Sequence, residues 1–190
     1  MRLVLASTSP RRADLLRSAG FGFDIDATSI DESVLVGESP AAHVRRLARE
    51  KAGVTAARHL EAAVLGADTV VVIDDLILGK PSDAADAGRM LTRLQGRTHE
   101  VVTGIALWCA GRVEEAVETS AVTFAPMSED EIAWYVGSGE PQDKAGAYAI
   151  QGLGSRFVTR ISGSYSNVVG LPMARVYRLL QALGAAGSGI

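Results

Sequence analysis

The segment VLGADTVVVI, residues 64–73, decides how this chain is read. Apolar and mainly β-branched residues flank Gly66-Ala67-Asp68-Thr69 on both sides. No helical period is present, as expected of a strand covered on both faces. The segment therefore predicts the central strand of a sheet. A carboxylate and a hydroxyl interrupt its buried pattern, and a buried Asp68 without a partner is costly. Asp68 is expected to hold a metal, contact a cation or act as a base, with a structural salt bridge as the alternative. Glu32 and Lys80 are candidate companions, and spacing alone assigns neither.

Downstream, Asp74-Asp75 reads as a turn, residues 76–78 as a short return strand and Gly79-Lys80-Pro81 as a loop. A helix is expected from near Ser82 to Gly96, burying Met90, Leu91 and Leu94. Residues 99–109 and 112–124 read as long strands joined at Ala110-Gly111, a hairpin. Ser128 and Glu131 predict a capping box for a helix through Tyr135. A polar loop at 141–146 precedes short strands at 148–151 and 157–161. A last helix at about 168–183 ends at Gly184, and 185–190 reads as a flexible tail.

Upstream, residues 2–6 predict a buried strand, and Ser9-Pro10 opens a helix with Ser as N-cap and Pro at the first position. Leu15 and Leu16 give that helix an apolar side, and Gly20 ends it. Residues 23–27 read as a strand, followed by an acidic loop around Asp31 and Glu32. Ser39-Pro40 opens a second helix to about His59, with Val44, Leu47, Lys51 and Val54 at helical spacing. The pattern is α/β, with a mixed, partly antiparallel sheet and flanking helices.

The bulk properties narrow the function. The 190 residues suit one domain, or one domain of two lobes, and 47% hydrophobic content supports a packed core. A net charge of −3 argues against a protein that mainly grips nucleic acid, although a few local cations suffice for one triphosphate. Cys109 is the single cysteine, so neither a disulfide within the chain nor a cysteine zinc site is expected, and it reads as a small core residue. No apolar run is long enough to span a bilayer, and no signal peptide is evident, so a cytoplasmic location is expected.

Four segments carry chemistry. LASTSPRR, residues 5–12, places Ser7, Thr8 and Ser9 before a helix start and Arg11 and Arg12 in its first turn. Helix-start N–H groups and Arg forks both suit phosphate, whereas first-turn arginines oppose the helix dipole. Solvated arginines on an ordinary capped helix are the alternative. GADT is the second segment. GRTHEVVTG, residues 96–104, embeds His99 in a strand, where a structural role is the ordinary one; His43 and His59 lack metal-binding spacing. GEPQDKAGAYAIQG, residues 139–152, gathers Glu140, Asp143, Lys144, Tyr148 and Gln151. A solvated loop accounts for Glu140, Gln142 and Asp143 but less well for Gln151. SGSYSN, residues 162–167, adds hydroxyl and amide groups nearby. P-loop, dinucleotide-binding and nucleophile-elbow motifs are absent.

Together with Asp31-Glu32, GKP at 79–81 and SNVVGLP at 166–172, these segments resemble the Maf nucleoside triphosphate pyrophosphatases, in family order over nearly the whole chain. The resemblance implies an elongated fold like that of the Maf and ITPase proteins, residues 1–184, with two lobes around a cleft, and a homodimer. It implies hydrolysis of a nucleoside triphosphate to the monophosphate and pyrophosphate with Mg²⁺ or Mn²⁺. Asp68 matches the proton acceptor for the attacking water, Arg12 and Lys80 match cations for the triphosphate, and Glu32 matches an acidic metal position. Metal ligation falls to Glu32 and Asp68, and the catalytic set is Asp68, Lys80 and Glu32. Ser7, Lys51, Asp143 and Lys144 match polar substrate positions. Arg11, Thr69 and Gln151 resemble the markers of the dTTP/UTP branch; the 7-methyl-GTP branch carries Trp, Gln and Glu there.

Two alternatives stay open from sequence. One is a phosphatase releasing orthophosphate, which product analysis separates. The other is a nucleotide-binding regulator of cell division, since the family is associated with septum formation. The acidic charge balance speaks against direct DNA binding.

Overall fold

The computed structural model describes residues 1–184; the tail expected at 185–190 lies outside the described residues. The order is β1 (Leu3–Leu5), α1 (Pro10–Ser18), β2 (Asp24–Ile25), α2 (Pro40–Ala56), β3 (Ala63–Ile73), β4 (Leu76–Leu78), α3 (Ala84–Leu94), β5 (Thr98–Cys109), β6 (Arg112–Phe124), α4 (Glu129–Gly137), β7 (Val158–Ser162), α5 (Tyr165–Val169) and α6 (Met173–Ala182). The strands form one sheet in the order β2-β1-β3-β5-β6-β7, with β4 also on β3. β1 runs parallel to β2 and β3, whereas β4 is antiparallel to β3 and β7 to β6. The sheet is mixed, as expected.

The chain divides into two compact units. The first holds Met1–Asp68, Thr103–Glu118 and residues 170–184; the second holds Thr69–Val102 and Thr119–Val169. In the first unit, Leu5, Leu65 and Leu107 pack with Leu16 of α1 and Val176 and Leu180 of α6. Another cluster sets Val4, Val64 and Ala106 against Ala48, Ala52 and Ala56 of α2. In the second unit, Val71, Val101 and Phe124 pack with Met90, Leu91 and Leu94 of α3, Tyr135 of α4, and Tyr148. Each such fully buried Leu or Val is worth about 1.5–3 kcal/mol of transfer free energy.

Two glycines let α2 approach the sheet. A Cβ at Gly66 of β3 would strike the carbonyl oxygen of Ala48, and one at Gly104 of β5 would strike that of Val44. The strands thus accept helix backbone where any side chain would hold it off.

Several local expectations hold. Asp74 and Asp75 form the β3–β4 turn with φ of 50° and 61°, a region that the short, locally hydrogen-bonding side chain of Asp tolerates. Ser128 and Glu131 make the full capping box, and Met90, Leu91 and Leu94 are buried on α3. Ala110 and Gly111, both at positive φ, join β5 to β6. Gly20, at φ 82°, follows the end of α1.

Others change. Ser9 sits at the N-cap of α1 without a side-chain cap; its own N–H donates to Ser7 Oγ at 3.2 Å. The helix expected from near Ser82 to Gly96 runs over Ala84–Leu94, with Asp83 as its cap. β2 has only two residues. The second helix ends at Ala56, so His59 lies beyond it, and Val54 is exposed because the buried stripe passes through Lys51, Ala52 and Thr55. Residues 148–151 form no strand: Gly146 and Gly152 at positive φ break the backbone on either side, and short 3-10 turns cover Glu140–Asp143, Ala145–Ala147 and Leu153–Phe157. The last helix is two, α5 and α6, separated at Gly170-Leu171-Pro172, where Gly170 has φ 120° and Pro172 precedes the first residue of α6.

Candidate active site

In the first unit, β3 delivers Asp68 next to Gly66, and α2 delivers Lys51 between Ala48 and Ala52, the residues that close on that glycine. The close approach brings Lys51 Nζ to 2.7 Å from Asp68 Oδ1 and equally 2.7 Å from Glu32 Oε1. The side chains of Lys51 and Asp68 are about nine-tenths buried, whereas that of Glu32 is half exposed. Asp68 therefore contacts a cation, and Glu32 is its companion through Lys51, an arrangement that spacing did not assign.

Arg12 in the first turn of α1 completes this group. Its Nη1 donates to Ser7 Oγ at 3.1 Å and to the Ala67 carbonyl at 2.9 Å, and its Nε to the Gly170 carbonyl at 2.9 Å. Burial lowers its proton affinity, neighbouring Arg11 adds to that, and the charges of Asp68 and Glu32 oppose it. These arginines are thus not a solvated face: Arg12 is tied to the backbone beside Asp68, and Arg11 is half-buried.

The acidic loop that carries Glu32 is held by residues the sequence did not mark. Glu38 accepts from Arg46 Nε at 2.7 Å, from the Leu35 N–H at 3.1 Å, and lies 3.0 Å from His43 Nδ1. Arg46 also donates to the Ser33 carbonyl at 2.9 Å, one residue from Glu32. The Arg46 hydrogen bond holds the Glu38 carboxyl well below its usual range, against its burial. Positions 38, 43 and 46 match no motif, and only the fold joins them to the loop.

The second unit holds Thr69, half-buried in β3, and Lys80, exposed after β4. It also holds Asp143, Lys144 and Gln151 in the segment after α4. Gly146 donates its N–H to the Gly79 carbonyl at 3.0 Å, which ties the Lys80 loop to the Asp143–Lys144 segment. Lys144 Nζ donates to Asp143 Oδ1 and, at 3.1 Å, to the Glu140 carbonyl. Gln151 is exposed. Glu140 does not follow the solvated-loop alternative: it accepts from the Tyr135 hydroxyl at 2.7 Å and from the N–H groups of Leu153 and Gly154 at 2.8 and 2.9 Å.

The histidines follow the structural reading. His99 is buried, shares a hydrogen bond of 2.8 Å with the Tyr148 hydroxyl through Nε2, and packs edge-on against Phe124 and Tyr148. Its Nδ1 is buried without a hydrogen-bond partner, and burial pulls its pKa down to about 4. His59 pairs with Asp26 at 2.7 Å. Cys109 is buried, as expected.

Among the described residues no three His, Cys, Asp or Glu side chains converge to hold a metal by themselves. Two carboxylates do converge, on the Lys51 ammonium. That donor set suits Mg²⁺, which is bound through one or two carboxylates with substrate phosphates completing the shell.

Residues 2–183 match the family model described as Maf-like protein. The chain belongs to the Maf family. Among its relatives, the dTTP/UTP pyrophosphatase of Myxococcus xanthus is 55% identical over 96% of this chain and 92% of that protein. The one of Koribacter versatilis is 52% identical over 97% and 95%, and the one of Vibrio cholerae 51% over 94% and 96%. Among solved structures, the Ham1 protein of Staphylococcus aureus aligns at TM-score 0.52 with 16% identity, covering 96% of this chain and all of that one. A HAM1 protein from Coxiella burnetii aligns at TM-score 0.52 with 17% identity, covering 97% and 98%. The Maf chain thus shares its α/β fold with the Ham1 proteins. No helix among its described residues is long and apolar enough to cross a membrane.

Proposed function

We propose that this chain hydrolyses nucleoside triphosphates, dTTP and UTP foremost, to the monophosphate and pyrophosphate. The observation that carries the reading is the buried Lys51 ammonium between Asp68 and Glu32, beside an Arg12 tied to the backbone of the same strand. The names of relatives at 51–55% identity support the substrate, as do Arg11, Thr69 and Gln151.

In this reading Asp68 accepts the proton of a water that attacks the α-phosphorus, a contribution of about 10²–10⁴-fold. The new bond joins the water oxygen to phosphorus, and the bond to the bridging oxygen breaks. The electron pair leaves with pyrophosphate. Lys51 orients the Asp68 carboxylate, and Arg12 and Lys80 neutralise charge developing on the phosphates. Ser7, Asp143 and Lys144 bind the polar parts of the substrate. Glu32 and Asp68 would hold a divalent cation, Mg²⁺ or Mn²⁺, which supplies charge withdrawal from the phosphates. Gln151 has a donor and an acceptor, matching the imide edge of uracil or thymine. A second copy of the chain as partner and a cytoplasmic location belong to the same reading.

Product-resolved hydrolysis of dTTP, UTP, CTP, GTP and 7-methyl-GTP tests it. Monophosphate and pyrophosphate are expected as direct products with dTTP or UTP, and loss of turnover in Asp68→Asn with an unchanged circular dichroism spectrum. Orthophosphate as the direct product would replace this reading with that of a phosphatase.

A further inference from the structure

Gln151 is exposed, and its backbone lies between two glycine-broken turns that belong to no strand and no α-helix. A side chain that discriminates bases needs a defined position, and nothing regular supplies one here. What fixes this segment is a pair of side chains from outside it. The Ala149 N–H donates to the Tyr135 hydroxyl at 3.2 Å, two residues before Gln151. The Leu153 and Gly154 N–H groups donate to the Glu140 carboxylate, two and three residues after it. The Tyr135 hydroxyl donates to that same carboxylate, so the two anchors are one unit.

The chemistry is specific to a carboxylate. Glu140 receives three donors on two oxygens, and an amide would turn an N–H toward one of them. Burial disfavours its ionised form, but the Gly154 and Leu153 N–H groups, the Tyr135 hydroxyl and Lys144 outweigh this and hold its pKa below the usual value. Tyr135 is itself fully buried in the core of the second unit, so the clamp is referred to rigid structure. The glycines fit around it. A Cβ at Gly152 would strike Glu140 Oε2, and one at Gly154 would strike the Tyr135 hydroxyl and the Ala149 carbonyl. The backbone carbonyl of Glu140 also receives Lys144 Nζ.

We propose that Glu140, anchored by Tyr135, is a positioning residue that sets base selectivity by bracketing Gln151 on both sides. The proposal rests on the reading of Gln151 as the base-contacting residue.

The test is the ratio of kcat/KM for dTTP to that for CTP. Partial unfolding removes active enzyme equally for both substrates and cancels from this ratio, so a merely structural role does not move it. Glu140→Gln and Tyr135→Phe are measured alone and in a Gln151→Ala background. Each clamp variant alone lowers the ratio by about fivefold or more, the scale of one lost hydrogen bond, chiefly through KM for dTTP. In the Gln151→Ala background neither changes it further. A ratio untouched by both clamp variants, while Gln151→Ala lowers it, overturns the positioning role alone. An effect of equal size in the Gln151→Ala background also overturns it, since the clamp then acts elsewhere. A ratio unchanged by Gln151→Ala itself overturns the base contact, and the positioning role with it.

Discussion

The carbonyl oxygen of Ala48 in α2 occupies the space where a side chain on Gly66 of β3 would begin. Lys51 and Asp68 meet because of it, since one lies three residues beyond Ala48 and the other two beyond Gly66. Gly66→Ala meets backbone and not a flexible side-chain end, so α2 must move. The expected cost is about 1–3 kcal/mol, at about 2–4 °C of Tm per kcal/mol in a chain of this size. Turnover per folded molecule should fall as well. Unchanged Tm and turnover in Gly66→Ala would contradict the close packing.

Lys51→Met keeps the aliphatic stem but removes the ammonium from the buried Asp68. Breaking a buried pair from one side costs about 3–5 kcal/mol, because the remaining charge is left buried without its partner. Glu32, half exposed, can turn to water; Asp68 cannot. Urea denaturation of the variant measures the cost, and a change below about 1 kcal/mol would mean that Lys51 and Asp68 are not coupled in solution.

Chelation separates the metal from the fold. Lys51 already pairs with both Glu32 and Asp68, so the two carboxylates are held together in the fold without a metal. EDTA should abolish hydrolysis, leave Tm unchanged, and be reversed by Mg²⁺ or Mn²⁺. A drop in Tm of several degrees with EDTA would show that a metal is built into the structure instead.

His99 makes stability depend on pH. Its folded pKa of about 4 lies below the 6.5 of an unperturbed histidine. Between those values the unfolded chain binds more protons than the folded one, so stability rises with pH through this window and falls as pH drops from about 6.5 toward 4. His99→Phe removes that dependence and keeps the edge-on ring packing with Phe124 and Tyr148. Melting curves from pH 4 to 8 should therefore slope less for His99→Phe than for the parent chain below pH 6.5. Parallel slopes would remove His99 as the cause.

The expected features that survive are the ones whose causes are local. Ser128 and Glu131 are three residues apart and cap the same turn, and Asp74-Asp75 makes its turn from its own backbone preferences. Met90, Leu91 and Leu94 share one helical face. Residues 148–151 look like a strand by composition, but a strand needs a neighbouring ladder. Here Tyr148 turns instead to His99, and Ala149 to Tyr135. Gly170 and Pro172 are visible in the sequence as helix breakers, and the apolar residues on both sides concealed the break.

The site divides in the same way. Asp68 announces itself as a carboxylate inside an apolar strand, and Ser7, Arg11 and Arg12 as an unusual helix start. Glu140 resembles any loop acid, and Glu38, His43 and Arg46 any helix-start charges. Their partners are Tyr135 and the N–H groups of Leu153 and Gly154, or a loop at residues 33–35, and no periodicity connects them.

By itself, then, the sequence determined most of the elements, the mixed sheet and the acidic residue in its central strand, because strand burial, caps and turns depend on neighbours a few residues away. The strand expected at 148–151 and the single last helix failed where distant partners or a break decided the backbone. Only the tertiary structure decided that Lys51 joins Asp68 to Glu32 and that Glu140 with Tyr135 brackets Gln151. Those pairings depend on where α2 and the irregular segment come to rest, and that is set by packing at Gly66, Gly104 and Gly152.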